Sequence, residues 1–215
     1  MKKITKIEYQ KNNKDRVNIY LDDKFEFGID LNIMIKYSLS KNMELDDKFI
    51  TEILIAEDKI KAYNYAVSIL SRSAKSEKEL RTKMSDKGYE QEFVDITIDK
   101  LKMNKYIDDD DYSDRFIHDK INFSKYGKRK LKEALYNKGI DRQIIEEKLS
   151  LISTDDEFVR AYELGEKKIR SLSKEDNAKK YTKLSNFLIG KGFEYETVRK
   201  VVSKLLKVDQ EECDY

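Results

Sequence analysis

The sequence contains few residues of the kinds that catalyse reactions or bind metal ions. Its only histidine, His118, lies in a segment with helical periodicity, and its only cysteine, Cys213, lies in a distant polar tail. A zinc site needs about four nitrogen or sulfur ligands, so these two residues cannot form one. The segment KYGKRK around Gly127 lacks the spacing of a phosphate-binding glycine loop. We therefore expect no catalytic residue, no metal site and no cofactor.

An acidic run is the remaining candidate for chemistry, and it consists of Asp108, Asp109, Asp110 and Asp111. Carboxylate oxygens are ligands that Mg²⁺ prefers, so a magnesium-dependent nuclease is one hypothesis. The run also directly precedes a predicted helix, where carboxylates cap the first amide groups and interact favourably with the helix dipole. Because of this position, we favour the capping interpretation.

Cations are concentrated at the predicted start of a helix in the middle of the chain. This basic cluster consists of Lys125, Lys128, Arg129, Lys130 and Lys132, with Tyr126 among them. Helix starts expose unpaired amide groups, which suit phosphate or carboxylate partners. The cluster could therefore bind a nucleic-acid backbone or an acidic protein surface. An ordinary solvated helix face is the alternative.

Similar cations recur at the comparable position of two other segments. They are Arg72, Lys75, Lys78 and Arg81 in the first segment, and Lys179, Lys180 and Lys183 in the last. The recurrence predicts one aligned basic stripe that binds a partner or nucleic acid. The formal net charge of the whole chain is only +2, so such binding must come from local patches rather than a global field.

An internal repeat supplies the elements that would position these cations. Three segments that begin at Leu80, Leu131 and Leu184 align without gaps, and their apolar residues recur with helical spacing. Each contains a Lys-Gly pair, namely Lys87-Gly88, Lys138-Gly139 and Lys191-Gly192. A glycine after a periodic apolar run ends a helix, because it adopts the left-handed conformation at little cost. With a further helix before each pair, the pattern predicts three units of three helices.

Capping signals mark several helix starts, and the absence of proline permits long helices. Ser76 with Glu79, and Thr154 with Glu157, fit the capping-box pattern. Asp141 is a suitable cap for the helix that follows it.

The first part of the chain has a different pattern. Apolar and polar residues alternate over residues 4–29, which predicts a three-stranded meander whose first strand spans about Lys3 to Gln10. Helices at about 30–40 and 46–60 would cover its apolar face, since a lone three-stranded sheet is only marginally stable.

These patterns together predict a mainly α fold, with three tandem three-helix repeats in an elongated array after a small β-meander with helices. The expected boundaries are 1–57 for the N-terminal part, 58–108, 109–153 and 154–208 for the three repeats, and 209–215 for a polar tail. A long helical surface favours binding of a polymer or filament over turnover of a small molecule. No apolar run approaches the roughly 20 residues that span a bilayer, so we expect no membrane partner.

Residues 66–117 resemble the RecX family of recombinase regulators. The residues that carry this resemblance are Leu70, Arg72, Ser76, Glu79, Leu80, Lys83, Gly88, Tyr106, Ile107, Asp108, Asp109 and Tyr112. A second set fits the family's pattern around a Lys-Gly pair, namely Gly127, Arg129, Lys130, Leu131, Leu135, Lys138 and Gly139. The segment FLIGKGFEYETVRKV is similar to the family's closing helix pair. The likeness covers roughly 58–207, and Lys105, Ser113 and Lys191 depart from residues usual in the family.

The resemblance implies a non-enzymatic regulator of the RecA recombinase. Members of this family bind in the groove of the RecA–DNA filament, where they limit extension or promote disassembly. By this resemblance the partner is the RecA nucleoprotein filament, with single- or double-stranded DNA as a further ligand, and the protein is a cytoplasmic monomer. The alternative is a stand-alone DNA-binding protein that uses its tandem helical units as helix-turn-helix-like readers. The third hypothesis, a nuclease, depends on the acidic run.

Overall fold

The structure is a computed structural model that describes residues 1–207. Cys213 and the predicted polar tail at 209–215 therefore lie outside the described residues. The chain forms two compact units, one from residues 1–74 and 80–106, the other from residues 75–79 and the chain from 107 onwards.

The first unit begins with an antiparallel sheet. Strands β1 (Lys2–Tyr9), β2 (Arg16–Leu21) and β3 (Lys24–Asp30) form the predicted meander, and a two-residue strand, β4 (Glu44–Leu45), pairs with β1. The strand order is β3-β2-β1-β4. Sequence periodicity did not reveal β4, because two residues are too short to show alternation.

Two helices cover the sheet, as expected, but the second is longer than predicted. Helix α1 (Leu31–Lys36) is short, whereas α2 (Asp47–Leu70) runs without a break through the boundary between residues 57 and 58. The two helices predicted at 46–60 and from about residue 58 are thus one. No glycine or proline interrupts residues 47–70, so nothing in the sequence ends the helix between them.

The buried carboxylate of Glu57 joins α2 to the sheet. It accepts hydrogen bonds from the backbone N–H of Asp30 at 2.8 Å and from Nη2 of Arg16 at 2.5 Å. Its residue is fully buried, so the arginine and the amide replace the water that the carboxylate loses. Beyond Glu57, α2 packs against α4 (Gln91–Met103), which completes the first repeat together with α3 (Glu77–Asp86).

The second unit contains the other two repeats. The second repeat consists of α5 (Asp109–Asp119), a π-helical turn at Lys120–Ser124, α6 (Lys128–Asn137) and α7 (Arg142–Ser150). The third consists of α8 (Thr154–Arg170), α9 (Asn177–Gly190) and α10 (Tyr195–Leu206). The aligned leucines of the repeat, including Leu131 and Leu184, are fully buried, and each repeat has its own apolar cluster.

The predicted Lys-Gly pairs do end helices, and we call these turns the Lys-Gly corners. Gly88, Gly139 and Gly192 have φ angles of +91°, +79° and +88°, which confirms the left-handed conformation. Within the second unit, two corners contact the start of the middle helix of the preceding repeat. Ser76 Oγ donates to the carbonyl of Lys138 at 2.7 Å, and the backbone N–H of Gly127 donates to the carbonyl of Lys191 at 2.9 Å.

Capping was predicted correctly at two helix starts and wrongly at a third. Ser76 and Glu79 form the reciprocal capping box, and Asp141 accepts from the backbone N–H of Gln143 at 2.7 Å. Helix α8, however, is capped by Ser153 rather than by Thr154. Glu157 does not take part in that cap, because its carboxylate accepts from the backbone N–H of Lys128 in the neighbouring repeat.

Candidate partner interface

The basic cluster lies where the second and third repeats meet inside the second unit. Lys125 follows the π-helical turn in a left-handed conformation, with φ of +54°. Lys128, Arg129, Lys130 and Lys132 occupy the first turns of α6, and Gly127 is its N-cap. Arg129 and Lys132 are exposed, whereas Lys128 and Lys130 are partly buried.

The first two amide groups of α6 already have hydrogen-bond acceptors, which corrects one expectation. The backbone N–H of Lys128 donates to Glu157 Oε1 at 2.8 Å, and that of Arg129 donates to the carbonyl of Gly192 at 3.0 Å. Since these donors serve the contact between repeats, they do not offer an anion site. Any anionic partner must be bound by the side chains of the cluster.

Those side chains differ in how strongly they are held within the protein. Lys130 Nζ donates to the carbonyl of Gly190 at 3.1 Å and lies 4.8 Å from the centre of the Tyr126 ring. Lys132 lies 3.9 Å from Glu146, a distance at the limit of an ion pair. Within residues 1–207, no carboxylate pairs with Lys125, Lys128 or Arg129. These three cations are therefore the ones best able to bind an outside anion.

A shallow cleft adjoins the cluster. Its volume is about 290 Å³, and its lining residues are Lys128, Arg129, Lys132, Glu146, Leu149, Ser150 and Glu194. The lining thus holds three cations and two carboxylates, so the cleft has only a small excess of positive charge.

Two lysines from outside α5 lie over aromatic rings beside the cluster. Lys120 Nζ lies 5.9 Å from the ring centre of Tyr126 and 5.3 Å from that of Phe116. Lys138 Nζ in turn lies 5.5 Å from Phe116 and 5.7 Å from Tyr112. Ammonium groups over ring faces are held by the ring quadrupole, which fixes these long side chains. Sequence analysis did not single out Lys120, because its ring partners are set by the fold.

The first predicted group of cations is divided between the two units. Arg72 and Arg81 belong to the first unit, where Arg81 pairs with Asp95 at 2.5 Å. Lys75 and Lys78 belong to the second unit, where Lys78 Nζ donates to the carbonyl of Asn137 at 3.3 Å. The alignment of these residues into one stripe with the other groups stays a prediction.

The third predicted group lies on α9. Lys179 pairs with Asp176 at 3.0 Å, and Lys183 pairs with Glu175 at 2.5 Å. Lys180 is partly buried on the same helix. Exposed pairs of this kind are worth little energy, and a partner's phosphates can displace them. This group is less free to bind an anion than the cluster at α6.

The carboxylates of the acidic run each have a role in the structure, as the capping interpretation predicts. Asp108 accepts from the backbone N–H groups of Asp110 and Asp111, at 3.0 and 3.1 Å, and so caps α5. Asp109 accepts from the backbone N–H of Glu77 at 2.9 Å. Asp111 pairs with Arg115 one turn along the helix.

Lys148 joins Asp110 of this run to Asp114. Its Nζ lies 2.7 Å from Asp110 and 2.8 Å from Asp114, and the hydrogen bonds to these two carboxylates raise the pKa of Lys148 well above its usual value. No group of three or more potential metal ligands occurs within residues 1–207. The magnesium-nuclease hypothesis therefore finds no geometric support here.

Comparison with family models matches the chain to four successive domains. The regulatory protein RecX N-terminal domain matches residues 2–46, and the first, second and third RecX three-helix domains match residues 62–101, 108–149 and 155–202.

Full-length relatives and solved structures agree with these matches. Regulatory protein RecX of Clostridioides difficile (strain 630) is 40% identical over 207 residues, which cover 96% of this chain and 97% of that protein. Regulatory protein RecX of Clostridium perfringens (strain 13 / Type A) is 37% identical over 207 residues, with 95% and 97% covered. A crystal structure of regulatory protein RecX superposes with a TM-score of 0.77 at 30% identity, covering 97% of this chain and all of that one. RecX from Lactobacillus salivarius superposes with a TM-score of 0.65 at 27% identity, covering 71% of this chain and 99% of that one.

None of the helices within residues 1–207 has the length and apolar character needed to cross a bilayer.

Proposed function

Because the chain belongs to the RecX family of regulatory proteins, we propose that it is a non-enzymatic regulator of the RecA recombinase in the cytoplasm. It binds along the groove of the RecA–DNA filament and limits extension of the filament or promotes its disassembly. The observation that supports this proposal best is the set of three cations at α6, Lys125, Lys128 and Arg129, which pair with no carboxylate of residues 1–207.

The setting of these cations suits a repetitive anionic partner. The start of α6 is fixed by Glu157 and by the corner at Gly192, so the cations project from a rigid support. Preorganised side chains lose less conformational entropy when they bind. A filament of protein and DNA offers both acidic side chains and phosphates at regular intervals, and either can be bound by lysine and arginine.

The test is titration of the protein into RecA–single-strand filaments while ATP hydrolysis is followed. We expect the wild type to suppress hydrolysis. The double variant Lys128→Glu/Arg129→Glu should need about tenfold more protein for the same suppression, because a rim charge that attracts the filament then repels it. Negative charge in the first turn of a helix is compatible with the helix dipole, so this variant should fold.

A matched control makes the same change in charge at two other cations of the same unit. Lys167 and Arg170 are exposed on α8 of the same unit, and the variant Lys167→Glu/Arg170→Glu should suppress hydrolysis nearly as the wild type does. Equal loss in both variants would show a general charge effect and would remove the assignment to α6. A wild-type protein without effect on hydrolysis would contradict the proposed function itself.

The alternative function, a stand-alone DNA-binding protein, is separated by comparing two affinities. If filament suppression occurs at concentrations far below those needed to bind bare DNA, the filament is the target. If suppression follows the affinity for bare DNA and falls with it as salt rises, binding to DNA alone accounts for the effect.

A further inference from the structure

The π-helical turn at Lys120–Ser124 presents an unusual side chain to solvent. Phe123 is 84% exposed, although a phenylalanine would normally be buried. A single exposed aromatic residue is common, and exposure alone indicates nothing. The backbone and the charges around Phe123 distinguish it.

The backbone of this turn differs from a regular α-helix in its hydrogen bonds and in the conformation of the residue that ends it. Its hydrogen bonds are wider than those of an α-helix, since the backbone N–H of Lys125 donates to the carbonyl of Lys120, five residues earlier rather than four. It ends at Lys125 with φ of +54°, a conformation that side chains other than glycine adopt at a cost. Single π-helical turns are rare and are frequently found at functional sites.

The turn is held both by Ile121, which packs against the apolar cluster of the second repeat, and by a contact with the third repeat. Lys191 Nζ donates to the carbonyl of Ser124 at 3.4 Å, and Lys191 is the lysine of the third Lys-Gly corner. No residue of the turn is buried. The aromatic ring therefore projects from a tethered segment instead of contributing to the core.

Most of the charges beside the turn are positive, although the exposed Asp119 directly precedes it. Lys120, Lys125 and Lys191 surround the turn, and in the described part of the chain none of them forms an ion pair with a carboxylate. An exposed ring among unpaired lysines is the combination that binds single-stranded nucleic acid, in which bases stack on the ring and phosphates pair with the cations. A buried apolar partner would not require the lysines, and duplex DNA keeps its bases stacked inside.

We propose that Phe123 is a stacking platform for a base of single-stranded nucleic acid, with Lys120, Lys125 and Lys191 contacting the flanking phosphates. This site deepens the proposed function, since it gives the regulator a direct contact with the strand that a recombinase filament holds. The site consists of side chains only. We expect it to bind strands of any sequence, because every base has a π face.

The test compares two oligonucleotides that carry the same phosphates, and it uses the full chain without RecA. One is a fluorescently labelled oligothymidine, and the other carries abasic sites in place of the bases. We expect the wild type to bind the intact strand about tenfold more tightly than the abasic strand, as one stacked base provides. The variant Phe123→Ala should bind both strands with the wild type's affinity for the abasic one, whereas Phe123→Trp should keep the preference.

A matched control is Tyr136→Ala, because Tyr136 is 70% exposed on α6 of the same unit. It should keep the preference for intact bases. Three outcomes would overturn the proposal: a wild type with no preference, a Phe123→Ala variant that retains it, or a variant that binds both oligonucleotides normally yet no longer suppresses RecA. The last would place Phe123 against the recombinase protein. Failure of the proposed function is distinct, since it would be seen as a wild type that leaves RecA hydrolysis unchanged.

Discussion

Lys138 shows how one residue can combine several interactions in the second unit. Its carbonyl accepts from Ser76 Oγ at 2.7 Å, and its Nζ binds Glu79 Oε1 at 2.6 Å. Partial burial acts to lower the pKa of Lys138, but the hydrogen bonds to Glu79 and Tyr112 outweigh it and raise that pKa. The sequence identified Lys138 only as the lysine beside a helix-ending glycine. Ser76 and Glu79 come from another repeat, about 60 residues away in the chain, so local patterns could not reveal these two partners.

The pair formed by Glu79 and Lys138 gives a testable dependence of stability on pH. Partial burial acts to raise the pKa of Glu79, but hydrogen bonds from Lys138 and from the backbone of Ser76 prevail, so its pKa lies below the ordinary value. A carboxylate whose pKa is lowered by folding stabilises the fold above its unfolded pKa of about 4.3. That stability is lost as the pH falls through the folded pKa.

The variant Glu79→Gln removes the charge and keeps a side chain that fits the capping box. We expect it to lower the free energy of unfolding by roughly 1 kcal/mol at pH 7. The difference from wild type should shrink as the pH is lowered below about 4. Urea unfolding at several pH values measures this, with Glu166→Gln on the exposed face of α8 as the control. A difference that stays constant with pH would show that the charge of Glu79 is irrelevant.

At the scale of elements, the Lys-Gly corners and the middle-helix starts are matched surfaces. A methyl group on Gly192 would overlap the backbone and Cβ of Lys130, and one on Gly127 would overlap the backbone of Gly192. At Gly88, by contrast, no atom of the described residues lies within 4 Å of an added Cβ. The three glycines share a left-handed conformation, yet only some of them also provide a close approach between backbones.

This difference predicts the effect of alanine at two equivalent positions. Gly88→Ala should cost about 1 kcal/mol, because it introduces only the strain of a side chain at positive φ. Gly192→Ala should cost at least 2 kcal/mol more, since the overlap also forces the two repeats apart. Thermal or urea unfolding of the two variants against wild type measures both values. Equal losses would mean that the corner at Gly192 does not depend on close packing.

Much of the element order was predictable because it follows from the local periodicity of apolar residues. The three helix-turn-helix segments and the meander follow from apolar spacing and from glycines that end helices. The continuous α2, the short β4 and the role of Glu157 were missed for a common reason. Each depends on what a distant part of the chain offers, namely the sheet and α4 for α2, β1 for β4, and the start of α6 for Glu157.

At the scale of the whole molecule, the positive and negative charges are nearly balanced. A net charge of +2 gives no long-range attraction to nucleic acid, so binding must depend on a small number of phosphate contacts. The sequence alone predicted a broad stripe of cations, but at least Arg81, Lys132, Lys179 and Lys183 are each paired with a carboxylate. Lys125, Lys128 and Arg129 are the better candidates, and sequence could not separate the two groups, because pairing depends on the fold.

The number of contacts can be measured from salt dependence. If Lys125, Lys128 and Arg129 each contact one phosphate, they should together contribute about −2 to the slope of log K against log salt concentration for single-stranded DNA, at roughly −0.7 per contact, in addition to any contribution from Lys120 and Lys191. The variant Lys128→Gln/Arg129→Gln should reduce this slope by about 1.4. Fluorescence titration at several salt concentrations tests it, and an unchanged slope in the variant would place the phosphate contacts elsewhere.

Each Lys-Gly corner of the second and third repeats contacts a receiving position, just before the middle helix of the preceding repeat. This arrangement limits how the protein could be extended by gene duplication. The receiving position is Ser76 in the first repeat and Gly127 in the second, each just before a helix that begins three residues ahead of the aligned leucine. In the third repeat that position is Lys180, and α9 begins seven residues ahead of Leu184, so helix already occupies the place of a receiving turn. If the last repeat were copied in tandem, the Lys-Gly corner of the new repeat would therefore find no receiving turn in the repeat before it. A true fourth member of the series would also need its predecessor's α9 shortened by a turn and a small residue at position 180.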